Sequence, residues 1–332
     1  MRHGFRHVDA ERTIVFGEGA LEVADDLLGF GYTLLTTKRG RRQAPAVVER
    51  AAAVVDVPGG LVEDVAAGLR GEVHGERLVA LGGGRVIDVA KALAAADGPP
   101  RPVIAVPTSL SAAEMTGVHR HAAGVPGDTP RVRPRVVVND PALSASQPPD
   151  QLAASTANAL GHATVGLLSD RATPPARAVA REAVMELVAG WSDREPDRAG
   201  LALGALLAGW AVDHSGLGPH HALAQTAVRT ASIAHAQANA ALLPATIAAL
   251  RRRRPAELDR LDASLGTRLE AFAESLRERA GAHGLGDPQL LDRLVEVAAQ
   301  RQELDRVAPA PDRDELRAIY LAASSAGGQR VV

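Results

Sequence analysis

Three consecutive glycines, Gly82, Gly83 and Gly84, follow the β-like run Leu78-Val79-Ala80-Leu81, and a helical pattern sets in by Val86. A strand that turns on glycine into a helix aims backbone N–H groups and the positive helix end at an anion, so the turn suits a phosphate. Glycine is expected there because a Cβ would obstruct a pyrophosphate and because such turns often need positive φ. Asp88 and Lys91, three apart on the helix, are placed to pair or to face the ligand together. A second polar loop follows the next strand, Pro107-Thr108-Ser109-Leu110-Ser111 and then Glu114-Met115-Thr116. Ligands of doubly wound sheets collect outside the carboxyl ends of strands. Thr108, Ser109, Ser111 and Thr116 therefore join the glycines, Asp88 and Lys91 as expected cofactor contacts. Thr37 is added from the end of an earlier strand, which closes in Thr36-Thr37-Lys38-Arg39. A carboxylate at such a strand end favours NAD by bonding the ribose hydroxyls. Here two cations stand instead, so NADPH is admitted as well as NADH.

These loops need strands and helices to hold them. Thr13–Phe16, Tyr32–Thr36, Ala52–Val57, Leu78–Leu81, Val103–Val106 and Val136–Val138 read as strands. Gly19–Leu28, Ala44–Arg50, Leu61–Leu69 and Val86–Ala96 between them have helical apolar spacing. The alternation predicts an α/β parallel sheet covered on both faces. Beyond Asp150 strand signals vanish and apolar residues recur every three or four positions, which predicts an all-helical second half. The expected domains are residues 1–149, an α/β dinucleotide-binding domain, and 150–332, a helical substrate domain. The run Arg251 to Arg254 reads as a solvated helix end.

Composition narrows the classes. The chain has 332 residues, 46% hydrophobic, enough for a core of normal size. The absence of cysteine excludes disulfides, thiolate metal sites and cysteine nucleophiles. A net charge of −2 suggests neither a nucleic-acid nor a membrane partner. Met1 to Asp9 lacks the apolar core of a signal peptide, and Leu201 to Val212 is too short to span a bilayer, so a soluble cytoplasmic protein is expected. Of 37 basic residues only Lys38 and Lys91 are lysine, which sets Lys91 apart within the glycine motif.

The run Gly82-Gly83-Gly84-Arg85-Val86-Ile87-Asp88-Val89-Ala90-Lys91 resembles the GGGSxxDxAK element of the iron-containing alcohol dehydrogenases. Pro107 to Thr116 resembles that family's PTT-loop, with Glu114-Met115-Thr116 nearest to its maleylacetate reductase branch. Asp140-Pro141-Ala142-Leu143 with Pro148-Pro149, Gly216 to His221, His235 to Pro244, and Pro311 to Arg317 match further family segments. The resemblance implies a dinucleotide-binding α/β domain followed by a helical domain, with the active site in the cleft between them. Departures are Arg85 for a Ser or Thr, Ser111-Ala112-Ala113 for a glycine-containing stretch, and Gln225 where many members have histidine.

In the metal-dependent members an aspartate and three histidines hold the ion, and the matching positions are Asn158, His162, His221 and His235. On one straight helix His221 and His235 would stand ~21 Å apart. They converge only if the chain turns between them, with Thr230 to Ser232 as the expected site of a new N-cap. Asn158 brings no charge and a weaker donor than a carboxylate. The expectation is therefore a site without a resident metal, with His162, His221 and His235 as ligands should iron or zinc be held. Hydride would then pass between NAD(P)H and a small keto or enoate substrate, as the resemblance implies. His221 and His235 are expected to polarise the acceptor and supply a proton, because an unperturbed histidine titrates near neutrality. His162 and Asn158 orient the substrate oxygen, and Arg229 clamps a carboxylate of a dicarboxylate substrate. A homodimer is expected from the resemblance. The alternatives are a metal-dependent alcohol dehydrogenase, a degenerate dinucleotide-binding homologue without catalysis, and a dehydroquinate synthase-like cyclase. The last needs a full metal site and a lysine-rich phosphate pocket.

Overall fold

The computed structural model describes residues 5–8, 12–192, 195–282 and 288–324. The chain divides into two compact units, the first running to Ser146 and including Pro196–Gly209, the second comprising Gln147–Glu195 and the residues from Trp210 onward.

The first unit is built on strands β1 (Phe5–Val8), β2 (Thr13–Phe16), β3 (Tyr32–Thr36), β4 (Ala51–Asp56), β5 (Leu78–Gly82), β6 (Val103–Pro107) and β7 (Val136–Asn139). Its helices are α1 (Ala20–Val23), α2 (Asp25–Leu28), α3 (Lys38–Gln43), α4 (Pro45–Glu49), α5 (Val62–Leu69) and α6 (Gly84–Ala96). The sheet order is β1-β2-β7-β6-β5-β3-β4, and every pairing is parallel except β1 with β2. β5 is buried along its whole length, as a central parallel strand must be. Its side chains alternate between two cores. Leu78 and Ala80 pack with α5 and α6, while Val79 and Leu81 pack with α1, α2 and α4. After β3 the chain moves outward to β4, and after β5 it moves the other way to β6. The carboxyl ends of β3 and β5 thus flank a topological switch point, where open α/β sheets bind ligands.

The predicted strands all form. Two elements were not anticipated. β1 pairs antiparallel with β2, Phe5 opposite Phe16 and Val8 opposite Thr13. Such a short strand exists through its partner and carries no long apolar run of its own. α3 starts where Thr37 accepts a hydrogen bond from Gly40 N at 3.2 Å, an N-cap that the basic composition of the segment obscures.

The second unit is helical among its described residues. Its helices are α7 (Pro149–Leu168), α8 (Pro174–Ala189), α9 (Arg198–Ser215), α10 (Pro219–Ala231), α11 (His235–Arg253), α12 (Pro255–Leu265), α13 (Leu269–Arg279), α14 (Leu291–Ala298) and α15 (Arg313–Ser324). The first part of α9 belongs to the first unit. α7 is buried on nearly every face from Leu152 to Leu168 and packs against α8, α10, α11 and α13. A helix apolar all round belongs in the middle of a bundle. No helix among the described residues is long and apolar enough to cross a membrane.

Candidate active site

In the first unit the glycine turn joins β5 to α6. Gly83 is the N-cap of α6 in extended conformation, with no side chain capping the helix. None of Gly82, Gly83 or Gly84 has positive φ, which corrects one reason for expecting glycine here. The requirement is close approach. A Cβ on Gly82 would lie 2.7 Å from Val86 Cγ2, one on Gly83 3.0 Å from Ser109 Oγ, and one on Gly84 2.8 Å from Ser111 Cβ. Thr108 N donates to Gly82 O at 3.0 Å, so the two loops are joined side by side. The open N-terminus of a 13-residue helix, flanked by Ser109 and Ser111, fits a dinucleotide pyrophosphate. Thr37 stands at the neighbouring strand end as the cap of α3, and the nearby acid Asp56 is paired with Arg41 at 2.9 Å.

Lys91 corrects the expectation of a ligand contact. It is wholly buried, and Nζ donates to Ala113 O at 2.9 Å, Thr116 O at 3.1 Å and Val118 O at 2.8 Å. Asp88 Oδ1 lies 2.7 Å from the same nitrogen, so the pairing reading of these two residues is the one the structure bears out. Thr116 is likewise buried, with its carbonyl engaged by Lys91. Glu114, in the same loop, is 1% exposed. Burial pushes its carboxyl up to about 7, against the opposing pull of its own backbone hydrogen bond and of Lys91.

In the second unit α7 carries Asn158 and His162 one turn apart, both 7% exposed. α10 carries His220 and His221 in its first turn, and α11 begins at His235. The turn between α10 and α11 forms at Ser232, whose φ is +55°. The expected side-chain cap does not: Ala234 is the N-cap and has no side chain to offer. The His162 and His221 ring centroids are 5.8 Å apart. His235 lies within electrostatic reach of His162, His220 and His221, and its Nδ1 is 3.5 Å from Gln225 Nε2. His220 packs directly on the α7 backbone because residue 161 is glycine, where a Cβ would meet His220 Cδ2 at 2.1 Å.

Desolvation dominates these rings. Burial lowers His162 to about 4 and His220 to about 3, and drives His221 well below its ordinary value, with neighbouring imidazoles adding to the effect. The expectation that His221 titrates near neutrality is thereby corrected: burial favours the neutral form of His221, as it does of His162 and His220. Several buried polar atoms around them have no protein partner, namely Asn158 Oδ1, both His220 ring nitrogens, His221 Nδ1 and Asn239 Oδ1. Buried polar groups are ordinarily satisfied, so such a concentration marks a place for a ligand. Asn239 and Arg301 are the residues that sequence reading missed. Asn239 is wholly buried beside His220 and donates to His235 O at 2.8 Å; its only signal is its place one turn after His235. Arg301 reaches His221 electrostatically while bound to Glu303 at 2.6 Å. Arg229 is exposed, and helical periodicity puts it on one stripe of α10 with His221 and Gln225.

A resident iron does not fit this donor set. Among the described residues no three His, Cys, Asp or Glu side chains are arranged to share an ion, and the expected carboxylate position holds the neutral Asn158.

Residues 152–305 match the C-terminal domain of the Fe-containing alcohol dehydrogenase family. The maleylacetate reductase of Sphingobium indicum is 30% identical over 312 residues, 86% of this chain and 87% of that protein. The crystal structure of maleylacetate reductase from Rhizobium sp. strain MTP-10005 superposes with a TM-score of 0.77 at 26% identity, covering 97% of this chain and 98% of that one. That of an iron-containing alcohol dehydrogenase from Corynebacterium glutamicum gives 0.81 at 25% identity, covering 98% of each. The chain belongs to the iron-containing alcohol dehydrogenase family, and it is an oxidoreductase of that family.

Proposed function

We propose that the protein is an NAD(P)H-dependent reductase of a small keto or enoate carboxylate of the maleylacetate kind. The observation that carries this reading is the concentration of unsatisfied polar atoms, Asn158 Oδ1, His221 Nδ1, Asn239 Oδ1 and the His220 ring nitrogens, around the buried His162. The cofactor supplies a hydride from C4 of its nicotinamide. Gly82, Gly83 and Gly84 would hold its pyrophosphate at the helix N-terminus together with Ser109 and Ser111, and Thr37 would contact the adenosine ribose. The strand end at Thr37 carries no acid, which supports tolerance of NADPH.

In the helical unit a neutral imidazole can donate an N–H to the substrate oxygen without a buried charge. His221 holds that position; charged from solvent through the exposed His235 when the anionic substrate is bound, it gives that proton to the reduced substrate and returns to the neutral form. His162 and Asn158 orient the same oxygen. A dicarboxylate brings negative charge to the rings and so favours their protonated form, opposing the desolvation that otherwise keeps them neutral. Arg229 is assigned to the distal carboxylate because it lies on the His221 and Gln225 stripe; its guanidinium suits bidentate binding.

The test is steady-state reduction of maleylacetate by NADH and by NADPH, with His221→Ala beside the wild type. Loss of a positioned proton donor should lower kcat by roughly 10²-fold or more. Full turnover by H221A would overturn the assignment of His221, and no oxidation of either dinucleotide by the wild type would overturn the substrate class.

A further inference from the structure

Lys91 lies outside the chemistry just described, yet it is the most completely engaged cation in the glycine motif. An ammonium has three N–H donors. Here three carbonyls of one loop converge on it, those of Ala113, Thr116 and Val118, at 2.8 to 3.1 Å. Asp88 Oδ1 at 2.7 Å neutralises the charge, its oxygen being left without a hydrogen bond of its own. In a chain with 35 arginines (37 basic residues less two lysines), a lysine here has a geometric reason. A planar guanidinium cannot direct three donors at carbonyls clustered about one point in a wholly buried site.

The loop that Lys91 holds is in a conformation it does not favour alone. Ala112 has φ +63°, left-handed backbone that an alanine's Cβ disfavours. On one side Ser111 closes on Gly84 and Ser109 on Gly83. Further along, Met115 O accepts from Arg12 Nη1 at 2.9 Å. Without the ammonium, the carbonyls of buried Ala113 and Thr116 would lose this donor, and the strain at Ala112 would be opposed by little beyond its carbonyl's bond from Met115 N at 3.1 Å.

We infer that Lys91 is a positioning residue for the dinucleotide, tying residues 113–118 so that Ser109 and Ser111 stand against the glycine turn. It touches no ligand and acts through the loop. The inference rests on the reading of that turn as the dinucleotide site.

The experiment titrates NADH and NADPH, by fluorescence or calorimetry, into the wild type, Lys91→Met, Lys91→Gln and the double variant Lys91→Met with Ala112→Gly. If the freed loop is competent a tenth of the time, apparent Kd rises about tenfold in K91M, since affinity scales with the competent fraction. The kcat at saturating dinucleotide should change far less than Kd. K91Q, with two amide N–H donors, should fall between; it supplies the comparison if K91M is not recovered folded. Ala112→Gly removes the backbone strain and should restore part of the lost affinity. Unchanged Kd in K91M and K91Q, with only a lower melting temperature, would overturn the inference, as would absence of rescue by A112G. A wild type that binds neither dinucleotide would overturn the underlying reading and this inference with it.

Discussion

Glu114 is a carboxyl with 1% exposure whose Oε2 has no hydrogen-bond partner. Burial raises it from 4.5 to about 7. Between those values the folded protein holds more proton at this site than the unfolded chain, so the site's contribution to stability is complete below pH 4.5 and is lost as pH rises through 7. The loss is on the order of 3 kcal/mol at 1.36 kcal/mol per unit. In Glu114→Gln that dependence disappears, so the stability difference between variant and wild type should move in the variant's favour from pH 4.5 to 7.5. Urea unfolding at both pH values measures it, and parallel pH dependence in the two proteins would refute it. The identities of Glu114 and the histidines were legible in the sequence; their protonation was not. Desolvation is produced by α7, α10 and α11 closing together, and no local pattern around His162 or His221 encodes it.

The arginine run shows the same limit at the scale of elements. A solvated helix end was expected, and the structure instead makes residues 251–254 a junction. Arg251 binds Asp259 at 2.8 Å on α12, Asp262 at 2.7 Å, and both oxygens of Glu270 on α13, with its side chain only 13% exposed. Arg253 binds Glu315 on α15, and Arg254 binds Asp170 at 2.5 Å just beyond α7. The acids are separated from the run by up to 84 positions, so charge patterning along the chain could not reveal them. Replacing Arg251 by Met takes the main cation from Asp262 and Glu270, leaving Glu270 with the more distant Arg268 at 3.6 Å and Asp262 with Leu269 N, which should destabilise the fold by about 2 kcal/mol. Lysine should recover little, since one ammonium cannot reproduce the fork that meets three carboxylates. A urea midpoint for R251M within experimental error of wild type would show the cluster to be surface decoration. By contrast, β5, β6 and β7 were legible because continuous apolar runs ending in Gly, Pro or Asn suit central parallel strands, and β3 because its Tyr-Thr-Leu-Leu-Thr run is rich in β-formers.

For the whole molecule, the glycine turn and the donor set of the helical unit imply opposite responses to two kinds of ligand. A dinucleotide that binds only the folded chain stabilises it by RT ln(1 + [L]/Kd), about 2.7 kcal/mol at a hundred times Kd. A divalent ion would add comparable stability only if folded side chains were arranged to hold it. Asn158 is a weaker donor than the family's carboxylate, and no three His, Cys, Asp or Glu side chains are arranged to share an ion among the described residues. Thermal unfolding with NADH or NADPH should therefore shift upward with dinucleotide concentration. The same measurement with iron(II), zinc or EDTA should stay at the value of the untreated protein, and turnover should survive chelation. The arms separate the readings of the two units. A chelator-sensitive activity restored by one ion, with near-stoichiometric metal in the purified protein, would restore the metal-dependent alcohol dehydrogenase reading despite Asn158. Failure of both dinucleotides to shift unfolding would remove the cofactor assignment of Gly82 to Gly84 while leaving the histidine chemistry to be explained by another hydride source.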